Sequence, residues 1–345
     1  MDPDAWRAAR TYLDSHRHPL AQAAAHRYPG TPRIPGTTAL TRPEWLPPAP
    51  IDLAETRLTW AGTPPPPPAE TPAYADTLAV LAPPALLEDR PTYRLLHAPT
   101  PAHLTYGTAT YFDGLNTGEA VAHELAEAVR QGRDPATARL PRRDRIGDPT
   151  DPGRRPMTTA ISMLTLRRAP DGTAAFPLHR RDAKGVAHGG GLVHVVPVGV
   201  FQPSGPSPAT VRADLDLWRC AVREYAEEFL GAPEHYPEPF AYGAWPPYRD
   251  LTAARTAGHL RTHLLGIAVD PLSLATDLLA VTVIDAAVHD RVFARTTRTT
   301  PEGTLTGHHP FTYGSVAALL ASEPFQAAGA AVLTLALRHR RRLGV

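Results

Sequence analysis

Residues 216–231 read DLWRCAVREYAEEFLG, and this stretch decides the fold prediction. Its apolar side chains recur at helical spacing, which predicts an amphipathic helix over 215–230 with one flank packed on a core. Gly231 and Pro233 mark the end of that helix. The apolar flank consists of Leu217, Trp218, Ala221, Val222, Tyr225 and Phe229.

Three glutamates of the same helix, Glu224, Glu227 and Glu228, stand at positions i, i+3 and i+4. A helical turn places their carboxylates on one face, about 5–6 Å apart at Cβ. Like charges this close repel each other, and a divalent cation would offset the repulsion. Mg²⁺ takes oxygen ligands from a few carboxylates and fills its shell with water and substrate phosphates. The alternative is a solvated acidic face, but the apolar flank favours a position at the edge of a core.

The segment from Arg223 to Gly231 resembles the second half of the Nudix signature, Arg-Glu-apolar-x-Glu-Glu-x-Gly. The order of predicted elements before it is also similar. A strand over 161–167, an Asp171-Gly172 turn and a second strand ending at 179–182 come first. A buried strand over 192–201 follows and contains Pro197-Val198-Gly199, where the family has a Pro-Gly-Gly turn. The resemblance covers at most residues 158–345, and the whole chain resembles an actinobacterial group of Nudix-like proteins with a long N-terminal region.

This resemblance implies an α/β fold, a Nudix-like α/β/α sandwich with a mixed sheet. It also implies that Glu224, Glu227 and Glu228 bind Mg²⁺ or Mn²⁺, and that Arg223 holds a ligand carboxylate in place. The implied reaction is hydrolysis of a diphosphate linkage by water, with a carboxylate as proton acceptor. That acceptor is Glu227, Glu228 or an acid from a later loop, and the sequence does not choose among them. The later acids are Glu234 and Glu302.

The first half of the signature differs in this chain. Ala209 and Leu215 stand where the family has glycine and a further glutamate, and one extra residue, Leu230, precedes the closing glycine. Asp214 and Asp216 flank Leu215 and could partly replace the missing carboxylate. Three functions therefore stay open. The first is a Mg²⁺-dependent hydrolase acting on a nucleoside diphosphate derivative or another organic diphosphate. The second is a Nudix-fold sensor or regulator that binds its ligand without turnover. The third is a metal-dependent isomerase or cyclase acting on a prenyl diphosphate.

Substrate contacts are expected from two regions outside the helix. Arg180 and Arg181 end a predicted strand, and together with the Gly199 turn they are expected to meet substrate phosphate, since arginine forks suit phosphate oxygens. The alternative for both arginines is a solvated strand end. The loops at 232–262 and 286–310 are expected to set specificity through aromatic rings that stack on a base or line an apolar tail. These rings, which could instead only pack the loop down, belong to Tyr236, Phe240, Tyr242, Trp245 and Tyr248.

The composition excludes several other classes of protein. The formal net charge of the 345-residue chain is +1, which argues against a nucleic-acid partner. A single cysteine, Cys220, excludes an intramolecular disulfide and any multi-cysteine zinc site. Neither a signal peptide nor an apolar run of membrane-spanning length is present, so a cytoplasmic location without membrane contact is expected.

We divide the chain into an N-terminal extension, residues 1–150, and a Nudix-like domain, residues 151–345. A proline-rich linker near 62–72 interrupts the extension and is expected to be a stiff polyproline II spacer. The extension contains apolar runs at 93–96 and 106–112 that are too apolar for a disordered tail. We therefore expect α/β structure that packs against the second domain, covering the substrate site or a homodimer partner.

Overall fold

The computed structural model of the chain describes residues 2–64, 72–84, 87–181, 191–300 and 303–345. Its helices are α1 (Pro3–Ser15), α2 (Arg17–Ala25), α3 (Tyr74–Leu81), α4 (Tyr111–Gly114), α5 (Ala120–Arg130), α6 (Pro141–Ile146), α7 (Pro208–Ala213), α8 (Leu217–Leu230), α9 (Pro246–Thr256), α10 (Ala286–Val292), α11 (Tyr313–Ser322), α12 (Ala327–Arg338) and α13 (Arg340–Leu343). A π-helical segment, Leu115–Glu119, joins α4 to α5.

The strands are β1 (Ile51–Asp52), β2 (Arg57–Trp60), β3 (Pro91–Thr100), β4 (His103–Thr110), β5 (Thr159–Arg168), β6 (Ala174–Phe176), β7 (His179–Arg181), β8 (Val193–His194), β9 (Val198–Val200), β10 (Leu260–Val269), β11 (Thr276–Asp285), β12 (Thr299–Thr300), β13 (Gly303–Leu305) and β14 (His309–Pro310). The central sheet has the order β1-β10-β11-β5-β6-β14, and β9 also pairs with β5. It is a mixed sheet, because β5 and β11 run parallel along their whole length while β10 and β11 are antiparallel.

Strand alternation places apolar residues on both faces of the central sheet. Ile161 and Met163 of β5 belong to the apolar cluster that contains the flank of α8. Leu164 and Leu166 of the same strand belong to a second cluster, which contains the buried side chains of α12. The sheet is therefore enclosed between α8 on one face and α12 on the other. The predicted α/β fold class is confirmed.

The N-terminal part contributes a three-stranded sheet with the order β2-β4-β3. The amide of Tyr93 donates to the carbonyl of Phe201 at 3.0 Å, and the amide of Leu95 donates to the carbonyl of Met157 at 2.9 Å. Tyr93, Leu95 and Tyr106 are buried in the same apolar cluster as α8. This part thus packs against the second half as expected, while the boundary at residue 150 stays a prediction.

Two local predictions are wrong. The expected single strand over 192–201 is two short strands in different sheets, since β8 pairs with β7 and β9 pairs with β5. Pro197 lies between them and has no amide hydrogen for a continuous ladder. The second predicted strand, which ends at 179–182, is also two strands in different sheets, since β6 pairs with β5 whereas β7 pairs with β8 and β13.

Some predictions fall outside the described residues. They are residues 65–71 of the proline-rich linker, Asp182 at the end of the second strand, and Glu302. No helix within the described ranges is long and apolar enough to span a membrane.

Candidate active site on helix α8

Helix α8 is fixed at both ends by its own sequence. The Asp216 carboxylate accepts hydrogen bonds from the amides of Trp218 at 2.8 Å and Arg219 at 3.1 Å, which caps the N-terminus. Gly231 follows the last turn with a φ of +67°, a left-handed conformation that favours glycine. The predicted helix is therefore present, and its predicted apolar flank is buried.

The structure brings two of the predicted glutamates against strand β9. A Cβ added to Gly199 would lie 1.8 Å from Cδ of Glu224, so only glycine leaves room for this carboxylate. The amide of Val198 donates to Oε1 of Glu228 at 3.3 Å. Both glutamates are buried, whereas Glu227 is partly exposed. The glutamate face of α8 therefore lies against strand β9.

Glu228 also lies near a histidine that sequence reasoning left without a role. Nδ1 of His179, in β7, is 3.8 Å from Oε2 of Glu228, and both side chains are buried. The strand pattern placed His179 at a strand end, but no sequence signal pointed to the glutamate as its neighbour.

Arg223 lies in a buried polar site behind the glutamates. It donates to the Gln202 carbonyl and the Tyr242 hydroxyl, and its Nη1 is 3.6 Å from the Asp214 carboxylate. Asp214 also accepts from the amide of Ser204 at 2.8 Å and from the Tyr242 hydroxyl at 3.0 Å. Asp214 thus supplies a carboxylate next to Arg223, although Leu215 stands at the position where the Nudix signature has a glutamate. Asp216 does not do so, because it caps the helix.

Aromatic residues between α8 and α9 contact Glu227 and one another, and the region expected as a loop over 232–262 contains helix α9. The Tyr236 hydroxyl donates to Oε1 of Glu227 at 2.5 Å. Burial and the neighbouring Glu227 raise the pKa of Tyr236, so its phenol stays protonated and acts as donor. Phe240 packs on Tyr236 with ring centroids 4.6 Å apart and on Trp245 at 5.2 Å. The rings therefore pack on one another, and their contact with a ligand stays a prediction.

The predicted phosphate-binding arginines both lie in strand β7. Nη2 of Arg180 donates to the Glu323 carboxylate at 2.6 Å at a half-exposed position. Arg181 lies in β7 opposite Gly303. The role of both arginines with phosphate stays a prediction.

The chemistry of the three carboxylates suits Mg²⁺ or Mn²⁺, which prefer oxygen ligands. Their arrangement does not fit a bound ion. Within the described ranges, no group of three His, Cys, Asp or Glu side chains is placed to hold a metal. The carboxylates are instead held by protein: Glu224 lies against Gly199, Glu228 accepts from an amide, and Glu227 accepts from a phenol.

Comparisons with known proteins give little further information. No family model and no curated protein matches the chain. A solved structure of a Nudix hydrolase from M. Smegmatis, RenU, aligns with a TM-score of 0.28 and 17% sequence identity. The alignment covers 54% of this chain and 85% of that one. No residue role is transferred from it.

Proposed function

We propose that this chain is a Nudix-type hydrolase that cleaves a diphosphate linkage in a small molecule. The substrate class is a nucleoside diphosphate derivative or another organic diphosphate. One observation supports the proposal above the others. The Arg223-Glu224-x-x-Glu227-Glu228 helix lies against the β9 turn, and Gly199 is the residue that leaves space for Glu224.

Glu227 is the proton acceptor that we propose. It is the partly exposed member of the three glutamates, whereas Glu224 and Glu228 are buried. Glu234 is a poorer candidate, because Arg90 lies 3.4 Å from its carboxylate. In the reaction, water oxygen attacks phosphorus, the bond from phosphorus to the bridging oxygen breaks, and the water proton moves to Glu227.

Arg223 and Asp214 have a positioning role in this proposal. The buried guanidinium fixes the turn of α8 from which Glu224 and Glu227 project, because it is tied to the Gln202 carbonyl on one side and to Tyr242 on the other. No catalytic step is assigned to a metal, since the carboxylates are not arranged as ligands. Metal dependence is therefore a question for the assay.

A second function, binding of a diphosphate ligand without turnover, is favoured by one specific observation. Each of the three carboxylates already has a protein neighbour, and the Tyr236 hydroxyl donates a hydrogen bond to Glu227. A ligand that binds without displacing Tyr236 would leave Oε1 of Glu227 engaged with the phenol, which weakens this carboxylate as a proton acceptor.

A phosphate-release screen of organic diphosphates with and without Mg²⁺ tests the proposal, with Glu227→Gln as the variant. Glu55→Gln is the matched control, because Glu55 is exposed and far along the chain from α8. The proposed hydrolysis predicts that the native chain and the control release phosphate, and that the rate of release falls about 10²–10⁴-fold in Glu227→Gln. Saturable binding of a non-hydrolysable diphosphate without any release would support the second function. Release that is equal in Glu227→Gln would contradict the role of this glutamate.

A further inference from the structure

A cavity of about 620 Å³ lies at the end of the central sheet where β5 and β11 finish. Residues from the loop after β5, the end of α9 and the start of α10 line it together with the strand ends, and we call it the sheet-end pocket. Its volume is in the range of small-molecule sites, which is about 300–1,000 Å³.

The sheet-end pocket is separate from the glutamates of α8. Ser162 of β5 pairs with Val198, whose amide reaches Glu228. Arg168 of the pocket is six residues further along the same strand. At about 3.3 Å per residue, the two places are roughly 20 Å apart.

Small aliphatic side chains form most of the pocket wall. Ala253 and Ala257 come from the end of α9, and Ala287 and Val288 come from α10. The alanine side chains at 253, 257 and 287 are exposed here, so the wall is open to a ligand. Such a wall accepts a hydrocarbon chain or ring but offers it no hydrogen bond.

Two arginines bring positive charge to the same pocket. Nη1 of Arg168 is 3.7 Å from the Asp285 carboxylate, which also has Nδ1 of His259 at 3.0 Å. Nε of Arg168 is buried and has no hydrogen-bond partner among the described residues. Arg291 is exposed and forms no ion pair within the described part of the chain. The two guanidinium groups and one carboxylate of the lining leave one net positive charge among its arginine and aspartate side chains.

We propose that the sheet-end pocket binds a small organic monoanion with an aliphatic body, such as a medium-chain carboxylate. The ligand carboxylate would accept from Arg168 and Arg291, and its chain would lie on the alanines and Val288. A single negative charge matches the pocket, and arginine forks suit carboxylate oxygens. This proposal does not depend on the reaction proposed for α8.

Calorimetric titration of the full-length chain with octanoate tests the proposal, with octan-1-ol as the uncharged comparison. For a ligand of the size of octanoate, we expect a dissociation constant on the order of 1 mM. Arg291→Gln removes one charged contact at an exposed position and is expected to weaken binding about tenfold. Ala257→Phe fills the pocket and is expected to abolish binding. Arg295→Gln changes an exposed arginine four residues further along, past the end of α10 and outside the lining; it is the matched control and is expected to leave binding unchanged.

The proposal is supported if octan-1-ol binds more weakly than octanoate, and if octanoate binding is weaker in Arg291→Gln and absent in Ala257→Phe. Three results would overturn it. The first is no saturable binding of octanoate up to about 20 mM. The second is octan-1-ol binding as tightly as octanoate. The third is octanoate binding that is unchanged in both pocket variants, which would place the ligand elsewhere.

Discussion

Replacement of Gly199 by alanine tests how closely strand β9 packs on helix α8. The added Cβ would lie 1.8 Å from Cδ of Glu224 and 1.9 and 2.1 Å from its oxygens, whereas real Cβ contacts essentially never fall under 3.0 Å. The Glu224 side chain must therefore leave its buried position, since the backbone of β9 is paired with β5. We expect the free energy of unfolding to fall by about 1–3 kcal/mol, the usual cost of overpacking.

Urea unfolding followed by circular dichroism measures this loss, and a double-variant cycle assigns it to Glu224. In a Glu224→Ala background the clash is gone, so Gly199→Ala is expected to cost less than about 0.5 kcal/mol. Gly30→Ala is the matched control, because a Cβ there meets nothing within 4 Å. An equal loss in both backgrounds, or no loss in the native background, would refute this account of the packing.

Three further predictions concern the polar contacts around the site and in the N-terminal part. Tyr236→Phe removes the hydrogen bond to Glu227, and we expect urea unfolding to show a loss of about 1 kcal/mol. Asp214→Asn takes a carboxylate from buried Arg223 and is expected to cost about 2 kcal/mol in the same assay. Burial, followed by nearby Arg10, lowers the pKa of His123 to about 4. Between about pH 6.5 and pH 4 the unfolded chain then binds a proton that the folded chain does not, so stability falls by up to about 3 kcal/mol as the pH drops. Unfolding measured across that range should show a shallower fall in His123→Gln.

Each of these predictions has a control and a result that would contradict it. Tyr248→Phe changes a phenol of helix α9 that packs on Tyr242, and an equal loss there would make the Tyr236 effect non-specific. Asp216→Asn keeps a capping side chain and should be nearly neutral, so a cost equal to that of Asp214→Asn would count against the Arg223 contact. If His123→Gln follows the native pH profile, other groups cause the acid sensitivity.

The parts of the site that depend on local sequence could be predicted. The prediction places the end of α8 at Leu230, as found, because the left-handed Gly231 acts on adjacent backbone. It places the start at Leu215 rather than Leu217, because it does not assign Asp216 as the cap. Its buried flank follows from helical spacing of apolar residues. Asp214 and Asp216 both flank the altered signature position, so chain order indicates a replacement carboxylate but does not choose between the two.

The contacts made by loops could not be predicted in the same way. Tyr236 reaches Glu227 only because the chain turns back after Gly231, and no periodic pattern specifies that turn. The approach of His179 to Glu228 depends on the pairing of β7 with β8 and β13, strands of two or three residues each. Pairing between such short strands is set by tertiary packing, which the sequence pattern does not display.

The most direct test of the proposed function is incorporation of ¹⁸O from labelled water into the products of a diphosphate substrate. The reaction is run with Mg²⁺ present, and mass spectrometry measures the ¹⁸O content of the products. This label reports the bond that the proposed reaction forms between water oxygen and phosphorus. The account predicts one ¹⁸O atom in a phosphate product for the native chain, and a rate at least about 100-fold lower for Glu227→Gln. Unlabelled products, or equal labelling by the native chain and Glu227→Gln, would contradict it.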